Sequence, residues 1–265
     1  PASAPTKKQA KRGLKELRGR LDELQRILYA HDRHSILLVF QAMDAAGKDG
    51  TIRAVLKGVN PAGCQVFSFK KPSSLELDHD FLWRTAKRLP ERGRIGVFNR
   101  SYYEEVLVVR VHPGILDGQQ LPADCDRETI WADRFDSIRD HELHLARNGT
   151  VILKFFLNVS KEEQRQRFLS RLDEPEKNWK FSTADLRERG YWDDYQAAYA
   201  DALNQTSRAH APWYAIPADD KPFMRLCVAE ILVKRLEQLD LCYPPVDAEV
   251  ASNVADLRAK LESEA

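Results

Sequence analysis

Leu14, Leu17, Leu21, Leu24 and Leu28 stand three and four residues apart, so Lys7 to Ala30 reads as one helix with a single apolar stripe. Two heptads are short for a coiled coil, and the stripe is expected to dock on the helix's own domain. Pro1 to Thr6 ahead of it reads as a disordered tail. The period then changes. Ser35 to Gln41 is a continuous apolar run, as in a central parallel strand buried on both faces. Further strand-like runs are Cys64 to Phe69, Arg94 to Asn99, Val151 to Val159 and Trp213 to Ile216. Helical patterns fall between and after them, at Ile52 to Gly58, Leu77 to Arg88, Arg127 to Arg147, Lys161 to Leu172 and Lys221 to Leu239.

Alternation of this kind predicts an α/β protein with a parallel sheet flanked by helices. Two stretches break the rhythm. Val111 to Asp126 is a long connection, and residues 173–211 are polar and aromatic, the place for a helical lid between the last two strands. The expected organisation is a tail and helix over 1–30, one domain over 31–240, and an acidic, Ala-rich peripheral tail or helix over 241–265.

Composition adds little to this picture. Of 265 residues, 43% are hydrophobic and 31% charged, as in an ordinary folded chain, and the net charge is only +1. Any polyanion site must therefore come from local clustering of Lys and Arg. Cys64, Cys125, Cys227 and Cys242 are widely spaced, which suits reduced thiols better than a disulfide framework. No apolar run approaches the roughly 20 residues that span a bilayer, and the basic start has no signal-peptide core. A cytoplasmic protein with no membrane partner is expected.

The first strand runs into Ala42-Met-Asp44-Ala45-Ala46-Gly47-Lys48-Asp49-Gly50-Thr51, which opens a helix. Backbone N–H groups at a helix start, with a Lys ammonium, cradle phosphate oxygens. The usual Gly-x-x-x-x-Gly-Lys-Ser/Thr pattern is not met, since Ala42 replaces the first Gly and Asp49 the hydroxyl residue that would hold Mg²⁺. Asp44 changes the balance, because a carboxylate inside a phosphate loop repels the ligand unless a divalent cation lies between them. Asp44 is thus expected to take the metal role of the missing hydroxyl.

Arg94 to Ser101 is a strand ending in polar residues, where P-loop enzymes usually place an Asp beside Mg²⁺. Here that position is Asn99. Glu104 and Glu105 follow on an expected first helical turn, where carboxylates suit the helix dipole. With Asp44 they would alternatively complete an oxygen-ligand set for Mg²⁺. Arg100 would neutralise charge on a transferred phosphoryl group.

These blocks resemble the polyphosphate kinase 2 family. The resemblance rests on Met43 to Thr51, Gly58-Val-Asn-Pro61, Ser68-Phe-Lys70, His79 to Arg84 and Asn99 to Glu104. It continues through Trp179-Lys-Phe-Ser, Asp185 to Arg189, Trp192 to Tyr195 and Ala211 to Tyr214. The blocks run in order from about Ala30 to about Leu239. The resemblance implies a thymidylate-kinase-like P-loop NTPase fold with a mobile lid, Mg²⁺ dependence (with Mn²⁺ as a substitute), and phosphoryl transfer between inorganic polyphosphate and nucleotides. AMP, ADP and ATP, and guanine nucleotides, are the expected partners. A homo-oligomer is expected, and nucleic acid is not. By motif position Asp44, Lys48, Arg100 and Arg187 are the catalytic candidates, with Lys180 also reaching in from the lid. Ala45, Ala46, Gly47, Asp49, Gly50 and Thr51 belong to the phosphate loop. Asp80, Arg84, Asn99, Tyr103 and Glu104 are expected near the nucleotide. Asn99, where many members have Asp, together with the Glu104-Glu105 pair is similar to the single-domain subgroup that phosphorylates both mono- and diphosphates.

A long polyphosphate needs a track of cations. Arg53, Lys57, Lys70, Lys71, Arg84, Lys87 and Arg88 lie near the motifs, and Lys70 and Lys71 stand at a strand end where ligands of parallel sheets bind. His79 reads as a capping or packing residue rather than a general base, and Asp80 would contact a ribose or hold Arg84. Two other functions stay open: an ATP-dependent nucleoside monophosphate kinase, and a non-catalytic P-loop protein binding polyphosphate or nucleotide.

Overall fold

Five parallel strands carry the expected rhythm: β1 (Ser35–Gln41), β2 (Cys64–Ser68), β3 (Ile95–Asn99), β4 (Thr150–Asn158) and β5 (Trp213–Pro217). The structure is a computed structural model describing residues 5–178 and 182–264, the side chain of Lys177 aside. Its sheet order is β2-β3-β1-β4-β5. Every residue of β1 is buried, and Leu38 pairs with Val97 of β3 on one side and Leu153 of β4 on the other. The chain leaves β1 toward β2 and β3, then returns across it to β4. That reversal opens a crevice beyond the carboxyl end of β1, the ligand position in sheets of this type.

The helices are α1 (Lys7–His31), α2 (Lys48–Val55), α3 (Ser74–Leu77), α4 (Trp83–Ala86), α5 (Val108–Val111) and α6 (Ile130–Arg147). After β4 come α7 (Lys161–Asp173), α8 (Pro175–Asn178), α9 (Thr183–Gly190), α10 (Trp192–Thr206), α11 (Lys221–Glu237) and α12 (Ala248–Ser263). Thr6 caps α1 in a reciprocal box with Gln9. The α1 stripe packs on α11, where Gly13 lets Leu226 approach to 3.0 Å of the space a Cβ would fill. By contrast α12 buries no residue.

Two expectations change. Leu77 to Arg88 is not one helix. The Asp80 carboxylate accepts from the Leu82 and Trp83 N–H groups, and a short polar side chain bonding its own backbone ends one helix and starts another. His79 accordingly caps the Leu75 carbonyl and stacks on Trp83 at 3.8 Å. The region 173–211 also divides. The helix α10 is core, burying Trp192, Tyr195, Ala198, Tyr199, Ala202 and Thr206, whereas α9 buries nothing and covers the crevice.

One buried polar cluster ties the turn after β3 to the rest of the body. Lys154 and Glu142, both fully inaccessible, pair at 2.6 Å; the Lys154 ammonium also donates to the Tyr103 hydroxyl at 2.8 Å and the Thr206 carbonyl at 3.0 Å. Tyr102 and Tyr103 both donate to Glu142. Burial pulls the Lys154 ammonium down to about 8, opposed by Glu142, and pushes the Glu142 carboxyl up. Removing one partner of such a pair strands the other charge. Lys154→Met alone should cost about 3–5 kcal/mol in urea unfolding. The double variant Lys154→Met/Glu142→Leu should recover most of that loss, and a double variant as unstable as the single one would contradict the pairing.

Candidate active site

The phosphate loop is held from behind by its carbonyls. Lys48 donates to the Ala42 carbonyl at 2.9 Å, and Gln164 to the Asp44 carbonyl at 2.9 Å. Arg167, buried on α7, donates to the Ala45 and Ala46 carbonyls at 3.1 and 2.7 Å. Its other nitrogens reach the Ala218 and Asp219 carbonyls and Glu163. With the carbonyls turned inward, the peptide N–H groups are left for the groove. Gly47 starts α2 at φ 102° without a side-chain cap, so the first N–H groups of α2 have no intrahelical acceptor. Ala45 at φ 60° and Arg100 at φ 63° sit in the left-handed region too, strain of the kind that collects at working sites.

Two chambers meet at Asp44 and Arg100. The larger, about 540 Å³, is lined by residues 44–50, Ser68, Lys70, Lys71, Asn99, Arg100 and Arg171. Cations converge here from four elements. The smaller, about 120 Å³, lies under α9 and is acidic and aromatic, with Glu104, Asp185, Glu188, Tyr195 and Tyr199 around Arg189. Arg100 separates them, donating to Asp44 at 3.1 Å and to Glu104 at 3.4 Å. Burial lowers the Lys48 ammonium, with Asp44 opposing, and burial followed by the Asp44 charge raises the Asp185 carboxyl. The phenol of Tyr195 is pushed up, first by burial and then by its bond to Glu188, which keeps it a neutral donor.

Of the expected residues, Asp44 through Gly50, Lys70, Lys71, Asn99, Arg100 and Glu104 face these chambers. Several others do not. Thr51 turns its hydroxyl into the core, onto the Gly47 carbonyl and Met224. Tyr103 is fully buried in the Lys154 cluster rather than beside a nucleotide. Glu105 points away from Asp44 into a buried pair with Arg134 at 3.2 Å and a bond from Gln119, so it is not in a ligand set with Asp44. That follows from the 3₁₀ turn at Tyr102–Val106, which sends adjacent side chains to different sides. Asp80 is occupied by its turn, and Arg84 donates to the Lys70 carbonyl; both line a separate cavity with Glu105. Arg53 and Arg187 are exposed and outside both chambers. Lys57 is exposed, and Lys87 and Arg88 lie on the Trp83 and Phe67 rings. Lys180, with Trp179 and Phe181, lies outside the described residues.

Sequence reasoning missed Gln164, Arg167 and Arg171. Their spacing of three and four on one face of α7 was the available signal, but nothing local marks what that face meets.

No group of three or more His, Cys, Asp or Glu residues placed to hold a metal occurs among the described residues. Mg²⁺ in phosphoryl-transfer sites takes one or two carboxylates, with phosphate oxygens and water completing the shell. The Asp44 and Glu104 carboxylates, both at the Arg100 guanidinium, fit that chemistry, and Glu105 does not.

A phosphate loop at the reversal of a parallel sheet, an arginine at the next strand end and a helix over the crevice define a P-loop phosphotransferase. Residues 4–242 match the family model described as polyphosphate kinase 2, and the chain belongs to that family. It is 59% identical over 243 residues to an ADP-polyphosphate phosphotransferase of Rhodopseudomonas palustris, covering 91% of this chain and 84% of that one. An AMP/ADP-polyphosphate phosphotransferase of Meiothermus ruber is 50% identical, over 90% of this chain and 85% of the relative. The crystal structure of polyphosphate kinase 2 from Arthrobacter aurescens TC1 superposes with a TM-score of 0.89 at 40% identity, covering 98% of this chain and 89% of that one.

Arg167→Met should leave several buried carbonyls unpaired. Stability should fall by about 2–4 kcal/mol, since each orphaned group costs about 1–3 kcal/mol, and kcat/KM should fall at least tenfold. Arg100→Ala should lose on the order of a hundred- to a thousandfold in kcat, as when one charge-stabilising donor is removed, with little change in melting temperature. Equal effects of both variants on melting temperature would contradict this division of roles.

Proposed function

We propose that the protein moves phosphoryl groups between inorganic polyphosphate and nucleotides, with the polymer in the basic groove and the nucleotide's terminal phosphate under α9. The observation that carries the placement is the charge contrast across Arg100. Lys48, Lys70, Lys71 and Arg171 favour a polyanion on one side, while Tyr195, Tyr199 and the carboxylates of the other chamber offer ring faces and acceptors for a nucleotide.

In the forward direction an oxygen of the nucleotide's terminal phosphate attacks the end phosphorus of the polymer. One P–O bond forms, the terminal P–O–P bond breaks, and the shortened polymer leaves with the electron pair. The attacking oxygen is already anionic, so no general base is needed. The work is alignment and charge neutralisation around a loose transition state. Lys48 and the N–H groups of residues 47–50 hold the polymer end. Arg100, shared by both chambers, faces the phosphoryl group in flight. By covering the crevice, α9 excludes water as a competing acceptor.

Asp44 and Glu104 would hold Mg²⁺, which supplies charge neutralisation between carboxylates and phosphate oxygens. Asp49, bonded to Asn99, keeps that amide oriented in the groove. Both mono- and diphosphates of adenosine and guanosine are the proposed acceptors. The AMP/ADP activity named for the Meiothermus ruber relative and the GDP activity named for a 35% identical protein of Pseudomonas aeruginosa support that range.

An end-point assay with polyphosphate, Mg²⁺ and AMP, ADP, GMP or GDP in turn, resolving mono-, di- and triphosphates, tests the proposal. ADP and ATP should both appear from AMP. Conversion of diphosphates only would remove the monophosphate range, and no consumption of polymer would remove the reading altogether. Chelation with EDTA should abolish transfer, and Mn²⁺ should restore it. Asp44→Asn should raise the Mg²⁺ concentration for half-maximal rate at least tenfold, while an unchanged requirement would take Asp44 out of the metal role.

A further inference from the structure

Behind the phosphate loop lies a third chamber of about 240 Å³, between α7 and α11. Ala45, Gly47 and Gly50 form its wall toward the loop, and Arg167, Ser170, Arg171, Lys221, Met224 and Arg225 complete it. Four cations wall it, with no carboxylate among the described residues that line it, and Arg171 pairs with Asp185 at 3.5 Å. Arg167 is consumed by the loop carbonyls and Glu163. Arg225 is in a different position: its Nε is buried without a hydrogen-bond partner, and its guanidinium lies 3.4 Å from where a Cβ on Gly50 would stand. Burial first, and then the like charges of Arg18 and Arg167, pull its guanidinium down.

Lys221 and Arg225 stand four apart near the start of α11. Like charges at that spacing repel, and cations near a helix N-terminus oppose the dipole. A buried guanidinium nitrogen without a partner, set beside charges of its own sign, becomes favourable when an anion sits next to it. The groove proposed for the polymer would supply one by continuity, because Arg171, Ala45, Gly47 and Gly50 line both spaces.

We propose that this chamber is a distal phosphate subsite, holding units of the polyphosphate chain remote from the one transferred at Arg100. The inference rests on the placement of the polymer in the basic groove and adds a direction to it. The chain passes around the Gly47-Lys48 turn toward α11, away from the Arg53, Lys87 and Arg88 side. Short oligophosphates end before reaching Arg225, whereas long chains engage it.

Steady-state kinetics with tripolyphosphate and with long-chain polyphosphate, on the full chain and its Arg225→Gln and Lys221→Gln variants, tests this. The KM for the long chain should rise roughly tenfold in Arg225→Gln, the loss of one charge-assisted contact. It should rise by a smaller factor in Lys221→Gln. The KM for tripolyphosphate and both kcat values should stay at the wild-type level, and Arg225→Lys should recover most of the long-chain affinity. An equal rise for short and long chains, or an unchanged long-chain KM, would overturn the subsite. Lys221 is an exposed side chain, so its variant keeps the test open should Arg225→Gln fail to fold. A wild-type protein that uses neither polymer would refute the proposed function instead, which separates the two failures.

Discussion

The site depends on side chains that bind the phosphate loop's carbonyl oxygens from behind. A loop whose N–H groups must point at a ligand has to put its carbonyls somewhere, and buried carbonyls without partners are costly. Here Lys48, Gln164 and above all Arg167 accept that role, and Arg167 extends the same bonds to the end of β5. The loop is thereby fastened to α7 and to the last strand, which are distant in sequence. Left-handed backbone at Ala45 and Gly47 is tolerated because this bonding over-determines it.

A second constraint sets the position of Arg100. The turn that follows it is anchored by Tyr102 and Tyr103 on Glu142 and Lys154, a buried cluster in which each charge has a partner. Such clusters fix geometry more than they add net stability. The consequence is a guanidinium held between Asp44 and Glu104 at the boundary of two chambers of opposite character. One chamber is basic and the other acidic and aromatic, and Arg100 lines both.

Much of this was legible in the chain. The continuous apolar run of β1 and the Gly47-Lys48 turn located the central strand and the loop, because burial on both faces and a helix start leave direct marks on composition. The ordered motif blocks indicated the family and the chemistry. Less legible were the partners of individual side chains. Glu104 and Glu105 are adjacent and identical, yet one accepts from Arg100 in the crevice and the other pairs with Arg134. Tyr103 sits inside a motif and belongs to the core, and Asp80 spends its carboxylate on a turn.

Local periodicity and loop chemistry, read along the chain, were enough for the strand and helix alternation, the parallel sheet and the phosphate loop. Those features depend on residues close in sequence. Which cations line the groove, which carboxylate shares Arg100 with Asp44 and what lies behind the loop were decided by folding. Arg167, Arg171 and Arg225 come from α7 and α11, more than 100 residues from Gly47. Only packing of those helices against the sheet brings Arg167 onto the loop carbonyls and sets Arg171 and Arg225 around one chamber, and no local pattern encodes that distance.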